Sequence, residues 1–163
     1  MTLLLSTPSL AHAADLVSPS GLGNVKFGMT TGQAERALGA KLDLSNAEDP
    51  SGHCLRGSRA DGVDPGVIYM VIDGVVQRVD VELSNSPSVR TAEGIGDNAT
   101  PATVRSIYGA RLRANHSDFS GADDLEVQAS NGKAGLKFVF EHGALRWILA
   151  GNYPALARPE GCL

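Results

Sequence analysis

Apolar and polar residues follow two periods along this chain, and the period changes at glycines. GMTTGQAERALG (residues 28–39) and NATPATVRSIYG (residues 98–109) both place apolar side chains at helical spacing after a threonine. Each segment predicts a short helix of about two turns, too short to be stable without packing. The apolar positions are Ala34, Ala37 and Leu38 in the first segment and Val104, Ile107 and Tyr108 in the second.

The ends of both predicted helices carry capping residues. Thr30 and Thr100 are the expected N-caps, whose hydroxyls accept an N–H of the first turn. Gln33 completes a capping box in the first helix, and Pro101 occupies the first helical position of the second. Each helix stops at a glycine, which suits a left-handed C-cap.

The strand-like regions also occur twice. GVIYMVIDGVVQRVDVE (residues 66–82) and GLKFVFEHGALRWILAG (residues 135–151) each join two β-rich runs through a two-residue turn. Asp73-Gly74 and His142-Gly143 form these turns, and Asp-Gly is a strong hairpin signal because glycine tolerates positive φ. An earlier strand is expected before each hairpin, near residues 54–58 and 125–130.

The order helix, strand, hairpin thus appears twice and predicts an internal duplication. Residues 14–89 form the first predicted helix–β repeat and residues 90–163 the second. Strands joined by short turns make an antiparallel meander, and helices that precede it cover one face. We therefore expect an α+β protein: two tandem helix–β-meander repeats forming one antiparallel sheet, with short helices on one face.

Simple hairpin registers predict which side chains share a face. They place Tyr69 opposite Arg78 and Phe138 opposite Trp147. This aromatic face is either the core or an open binding face, because tyrosine, tryptophan and arginine are enriched at interface hot spots. Under the second interpretation these four residues are the candidate binding residues.

The segment FGMTTGQAERALG (residues 27–39) resembles the helix signature of the SmpA/OmlA-type envelope assembly proteins. The tandem arrangement is similar to that of the β-lactamase inhibitor protein, which is built from two helix-plus-sheet repeats. The resemblance implies a periplasmic or secreted, non-enzymatic, protein-binding module.

The N-terminus and the cysteines also favour export. Residues 1–13 have an apolar stretch that ends in Ala11-His12-Ala13, as in a secretory signal peptide; a plain N-terminal tail is the alternative. Cys54 and Cys162 have no metal-binding spacing, and in an oxidising compartment one disulfide is their simplest state. Two buried free thiols are the alternative.

Composition restricts the partners. The 163 residues carry a net charge of -4, with no run of lysine or arginine, which argues against nucleic acid. No stretch of the mature chain is long and apolar enough for a membrane span.

Two segments match ligand-binding motifs only in part. GIGDNA (residues 94–99) matches a dinucleotide-binding pattern but lies beside a hairpin and a short helix instead of in a parallel βαβ unit. HSDFSGADD (residues 116–124) collects oxygen ligands without the spacing of a calcium loop. We therefore expect no catalytic residues, no metal and no cofactor. The function expected is binding of another envelope or secreted protein, as an inhibitor, immunity factor or assembly accessory; the alternative is periplasmic binding of a small molecule or glycan.

Overall fold

A computed structural model describes residues 16–45, 49–116, 123–158 and 161–162. The predicted signal segment, and most of the acidic loop that follows His116, lie outside the described residues. The protein is α+β, with mostly antiparallel strands. Neither of the two helices in the described part of the chain is long and apolar enough to cross a membrane.

Both predicted helices are present with their predicted N-caps. Helix α1 (Thr31–Leu38) follows Thr30, whose hydroxyl accepts the N–H of Gln33 at 3.3 Å while Gln33 Oε1 accepts the Thr30 N–H at 2.9 Å. Helix α2 (Pro101–Tyr108) follows Thr100, whose hydroxyl accepts the N–H of Thr103 at 3.2 Å. The capping box and the proline at the first turn are therefore confirmed.

The two C-caps differ. Gly39 is left-handed, as predicted, with φ 66° and ψ 21°. Gly109 has a positive φ of 53° but a ψ of -127°, so the prediction of a left-handed cap there was wrong. The chain continues instead into a 3₁₀ turn, Gly109–Arg111, before the next strand begins.

Eight strands form one large antiparallel sheet. They are β4 (Leu42–Ser45), β5 (Cys54–Arg59), β6 (Val67–Ile72), β7 (Val75–Glu82), β9 (Leu112–His116), β10 (Asp123–Gln128), β11 (Ala134–Glu141) and β12 (Ala144–Asn152). Their order across the sheet is β4-β5-β6-β7-β12-β11-β10-β9, so the two halves of the chain meet at the β7–β12 pair. The strands β5 and β10 were predicted near their observed positions, whereas β4 and β9 were not predicted.

A second, small sheet is built from segments that precede the two helices in the chain. The strands β1 (Leu16–Ser18), β2 (Gly21–Leu22) and β3 (Val25–Lys26) come before α1, and β8 (Arg90–Thr91) comes before α2. Their order is β3-β2-β1-β8, and β8 joins β1 in parallel.

Both hairpin turns form where the sequence places them. Asp73 and Gly74 have φ values of 50° and 77°, and His142 and Gly143 have 52° and 80°. Two successive positive φ values are what a type I′ turn requires. The segment before each helix is tied to the matching hairpin by an equivalent backbone bond: Val76 N to Met29 O, and Leu145 N to Ala99 O, both 2.8 Å.

One hydrophobic core lies between the large sheet and the helices. Ala34 of α1 and Val104 and Tyr108 of α2 all belong to it, so both helices pack on the same face of the sheet. The Tyr108 ring packs against Phe138 with ring centroids 5.4 Å apart. We call this side of the sheet the core face and the opposite side the outer face.

Candidate functional site

A β-bulge in each hairpin determines which side chains reach the outer face. The register shifts between Met70 and Val71 and again between Val139 and Phe140. Each shift leaves one residue of the returning strand without a direct partner, Gln77 in β7 and Arg146 in β12. Beyond the bulge, every side chain moves to the opposite face because strand side chains alternate.

The predicted cross-strand pairs were therefore wrong. Tyr69 pairs with Val79, and Phe138 pairs with Ile148. Arg78 pairs instead with Met70, and Trp147 with Val139.

The structure does not bring the four candidate binding residues together. Tyr69 is 2% exposed and Phe138 0%, and both lie in the core. Arg78 lies on the outer face but is only 3% exposed, whereas Trp147 is a half-buried residue of the outer face. Tyr69 and Phe138 therefore fit the interpretation in which the aromatic face is core.

A signal for the bulges was present in the sequence. A simple register puts Arg78 and Asp80 among buried valines and Tyr69, where unpaired charges are costly. Apolar residues in β7 instead occupy positions 76, 79 and 81, a spacing of three and then two. Strand β12 repeats that spacing with Leu145, Ile148 and Ala150, all in the core.

Arg78 and Asp80 form a buried ion pair on the outer face. Arg78 Nε donates to Asp80 Oδ1 at 2.5 Å, and its Nη2 donates to Oδ2 at 3.1 Å. Arg56 approaches from β5 and donates to the same Oδ2 at 3.0 Å. Two guanidinium groups thus surround one carboxylate that is 3% exposed.

The chain covers this ion pair with its own C-terminal segment, residues 153–158 and 161–162, which we call the strap. Arg78 Nη1 donates to the carbonyl oxygens of Ala155 at 3.1 Å and Arg158 at 2.6 Å. The predicted disulfide joins Cys162 at the end of the strap to Cys54 at the start of β5, with Cα atoms 5.5 Å apart. The strap is therefore held by a buried cation, by a covalent bond and by packing.

Glycine allows the strap to lie close to the sheet. A Cβ atom on Gly135 would be 2.9 Å from the hydroxyl of Tyr153 and 3.2 Å from Leu156. Tyr153 donates a hydrogen bond to Glu126, and burial together with this bond raises the pKa of Tyr153. Ala155 and Leu156 are buried in the resulting contact.

Around Trp147, the outer face is partly accessible in the part of the chain that the structure describes. Val139 lies beside Trp147 on β11 and Glu82 on β7, while Leu149 occupies the next row with Lys137. All but Leu149 are partly accessible. Trp147 is two rows along β12 from Gly151, the residue opposite Arg78, so about 13 Å of strand separates them. This surface, which we call the Trp147 face, combines an aromatic and aliphatic centre with charges of both signs.

Other candidate motifs have structural roles. In GIGDNA, Ile95 is buried in the core and Asn98 adopts a φ of 63° in the turn that leads to α2. His53 Nδ1 lies 2.5 Å from Asp73 Oδ1 at an exposed hairpin turn. Within the described ranges, no three histidine, cysteine or acidic side chains are grouped so that they could hold a metal ion.

Comparison with known proteins supports the fold and leaves function open. The uncharacterized protein yfeY from Escherichia coli superposes with a TM-score of 0.53 at 14% identity, covering 84% of this chain and 99% of that chain. A DUF4309 family protein, YjgB from Bacillus subtilis, gives a TM-score of 0.44 at 15% identity, covering 87% of this chain and 90% of its own. No protein-family model and no curated protein sequence matches the chain.

Proposed function

We propose that this protein is an exported, non-enzymatic protein-binding module, and that its partner docks on the Trp147 face. The proposed partner is another envelope or secreted protein. The role proposed for this chain is that of an inhibitor, an immunity factor or an assembly accessory protein. The observation that carries the proposal is that the outer face already binds polypeptide, namely the protein's own strap.

We infer that the two halves of the chain arose by duplication. Each half of the chain has a helix followed by four strands of the large sheet, with a bulge at the same place in the hairpin. The backbone bond that ties the pre-helix segment to the hairpin also occurs in both halves. Such agreement in cap, turn, bulge and backbone bond supports descent of the two halves from one repeat.

Under that duplication, Trp147 is the counterpart of Arg78. Each directly follows the bulged residue of its strand, and each lies opposite equivalent residues, Val139 and Met70. At Arg78 the outer face holds the strap through main-chain carbonyls and small apolar side chains. At Trp147 the equivalent surface is partly exposed and carries the residue type most enriched at interface hot spots.

The disulfide between Cys54 and Cys162 and the leader-like residues 1–13 support the proposal of export. Disulfides persist in oxidising compartments and are rare in the cytosol. The resemblance to tandem helix-plus-sheet envelope proteins supports the same location and a binding role.

Trp147 provides a direct test because it is the single tryptophan of the chain. The tagged, oxidised protein is used to capture proteins from an envelope extract and from culture fluid of its source, and the purified partner is then titrated. We expect a saturable change in tryptophan emission. Trp147→Ala should weaken binding by about 30-fold or more, the loss typical of a hot spot, when binding is measured by calorimetry.

Ile107→Ala is the matched control, because Ile107 is an exposed apolar residue of α2, on the other side of the sheet. A partner lost with Trp147→Ala and kept with Ile107→Ala supports the proposal. Equal retention by both variants, or substrate turnover that disappears when one polar residue is replaced, contradicts it.

A further inference from the structure

A cavity of about 620 Å³ lies between the small sheet and the end of α2, away from the Trp147 face. Its apolar surface includes Val17 of β1, Val127 of β10 and Leu136 of β11. Pockets that hold small molecules have volumes of roughly 300–1,000 Å³ and mostly apolar walls with a few polar groups. We call this space the Tyr108 cavity, after the tyrosine in its wall.

The cavity is explained by a difference between the two halves. Leu112 pairs with Val127 in the second half, as Leu42 pairs with Arg59 in the first. The long side chain of Arg59 extends to Asp61 and donates two hydrogen bonds, at 3.0 and 2.6 Å. Val127 ends at its γ-carbons and leaves space above the sheet edge.

Opposite charges contact Tyr108 at its hydroxyl and over the face of its ring. The Tyr108 hydroxyl donates to Glu93 Oε2 at 2.9 Å and is hydrogen-bonded with Thr91 Oγ1 at 3.1 Å. The guanidinium carbon of Arg111 lies 5.0 Å from the centre of the same ring. The Glu93 carboxylate and the Arg111 guanidinium group therefore lie in one wall of the cavity. Both contact Tyr108, whose side chain is buried.

Glu93 keeps its charge, and both charged groups are accessible from solvent. Partial burial alone would raise the pKa of Glu93, but hydrogen bonds from Tyr108, the backbone and Thr91, with the charge of Arg111, lower it overall. Burial raises the pKa of Tyr108 to about 12, so its hydroxyl stays a neutral donor. Glu93 and Arg111 are exposed, and Arg111 forms no salt bridge with any residue that the structure describes.

We propose that the Tyr108 cavity binds a small amphoteric molecule, namely an apolar amino acid or a dipeptide. Its ammonium group donates to the Glu93 carboxylate, its carboxylate pairs with Arg111, and its apolar part contacts Val127 and Leu136. Arg113 also lines the cavity, so a ligand carboxylate is attracted by two guanidinium groups, and an ammonium group on the same ligand gains the further attraction of Glu93. A cation alone would be repelled by both arginines, and an anion alone would forgo the pair with Glu93, so a ligand with both charges is favoured.

The experiment compares three probes that differ only in charge. The oxidised, ¹⁵N-labelled chain is titrated with L-phenylalanine, 3-phenylpropionate and 2-phenylethylamine, and backbone amide shifts are followed by NMR. We expect saturable shifts at Val17, Tyr108 and Leu136 with phenylalanine, at about millimolar affinity. Each singly charged analogue should bind at least about tenfold more weakly, since it lacks one ion pair.

Two variants and one control locate the site. Arg111→Gln removes an exposed charge without disturbing the core, and Val127→Phe fills the cavity; both should abolish the shifts. Arg105→Gln, on the exposed face of α2 and outside the cavity, should bind like the native protein. The proposal is overturned if no probe gives saturable shifts, if all three bind alike, or if Arg111→Gln binds normally.

Discussion

The residues that directly follow the bulges in β7 and β12 serve opposite purposes. In the first half, the residue after the bulge is Arg78, whose buried guanidinium group holds the strap. In the second half it is Trp147, which stays partly accessible. Similar backbone geometry therefore supports an internal closure at one site and an open surface at the other, and the side chain at one strand position makes the difference.

Arg59 and Val127, which pair with Leu42 and Leu112, differ in a similar way. Arg59 of the first half forms a bidentate ion pair with Asp61, whereas Val127 of the second half lines the Tyr108 cavity. In the first half the charged groups are satisfied within the chain. In the second half Arg111 rests on an aromatic ring beside space that a ligand can occupy.

The largest expected effect comes from removing the disulfide that ties the strap to β5, beside Arg78. Replacing both cysteines, as Cys54→Ala with Cys162→Ala, opens a loop with a sequence separation of 108. Loss of the entropic restriction of the unfolded chain should lower the free energy of unfolding by about 5 kcal/mol, measured by urea denaturation. A loss below about 1 kcal/mol would mean that the strap is held without the disulfide.

The next largest effect is expected at Arg78, and it is compared with the effect at Trp147 after the other bulge. Arg78→Ala leaves Asp80 buried beside an incomplete set of donors and frees two strap carbonyls, so it should cost about 3–5 kcal/mol. Trp147→Ala, at the half-buried counterpart, should cost about 1 kcal/mol. Urea denaturation of both variants tests the difference, and equal losses would contradict the distinction between a closed and an open site.

The helix caps should show a smaller contrast. Thr30→Ala and Thr100→Ala each remove a hydroxyl acceptor and should each lower stability by about 1 kcal/mol. Thr30→Ala should have the larger effect because it also disrupts the reciprocal bond with Gln33. Ser106→Ala, on the exposed face of α2, is the control and should change urea stability by less than about 0.5 kcal/mol.

The smallest expected effect on stability comes from titration of the Asp61 carboxyl group. The bidentate hydrogen bonds from Arg59 lower the pKa of Asp61 to about 2. Because the folded-state pKa is depressed, the stabilisation by this pair is present above the ordinary aspartate pKa and disappears as the pH falls through 2. NMR of the Asp61 carboxyl should show this midpoint, and Arg59→Gln should return it to about 3.9. An unchanged midpoint in Arg59→Gln would show that Arg59 is not the cause.

Local signals predicted much of this fold. Thr30, Thr100 and Pro101 marked the starts of both helices, and Asp73-Gly74 and His142-Gly143 marked the hairpin turns. These features depend on hydrogen bonds and φ values within a few residues, so the sequence states them directly. The disulfide was predicted by the absence of any other use for two cysteines, and the structure confirms it.

The candidate site was harder to predict because it depends on register. A one-residue bulge moves Arg78 and Trp147 from the core face to the outer face. The short strands β4, β9 and those of the small sheet lack a strong period of their own, and long-range pairing decides them. The Tyr108 cavity is formed by residues from β1, α2 and β10, which no local pattern connects.

By itself, the sequence determined the two helices, the two hairpins, the pairing of the cysteines and the α+β class. Caps, turns and alternating patterns act over a few residues, and the two cysteines had no competing partner. Only the tertiary structure decided which face each side chain occupies, that the strap covers Arg78 and leaves the Trp147 face open, and where the halves meet. Those outcomes depend on the bulges and on glycines such as Gly135, where the lack of a side chain lets another segment lie close to the sheet. They also depend on the cost of burying charge, which is offset only where donors and acceptors from distant strands come together.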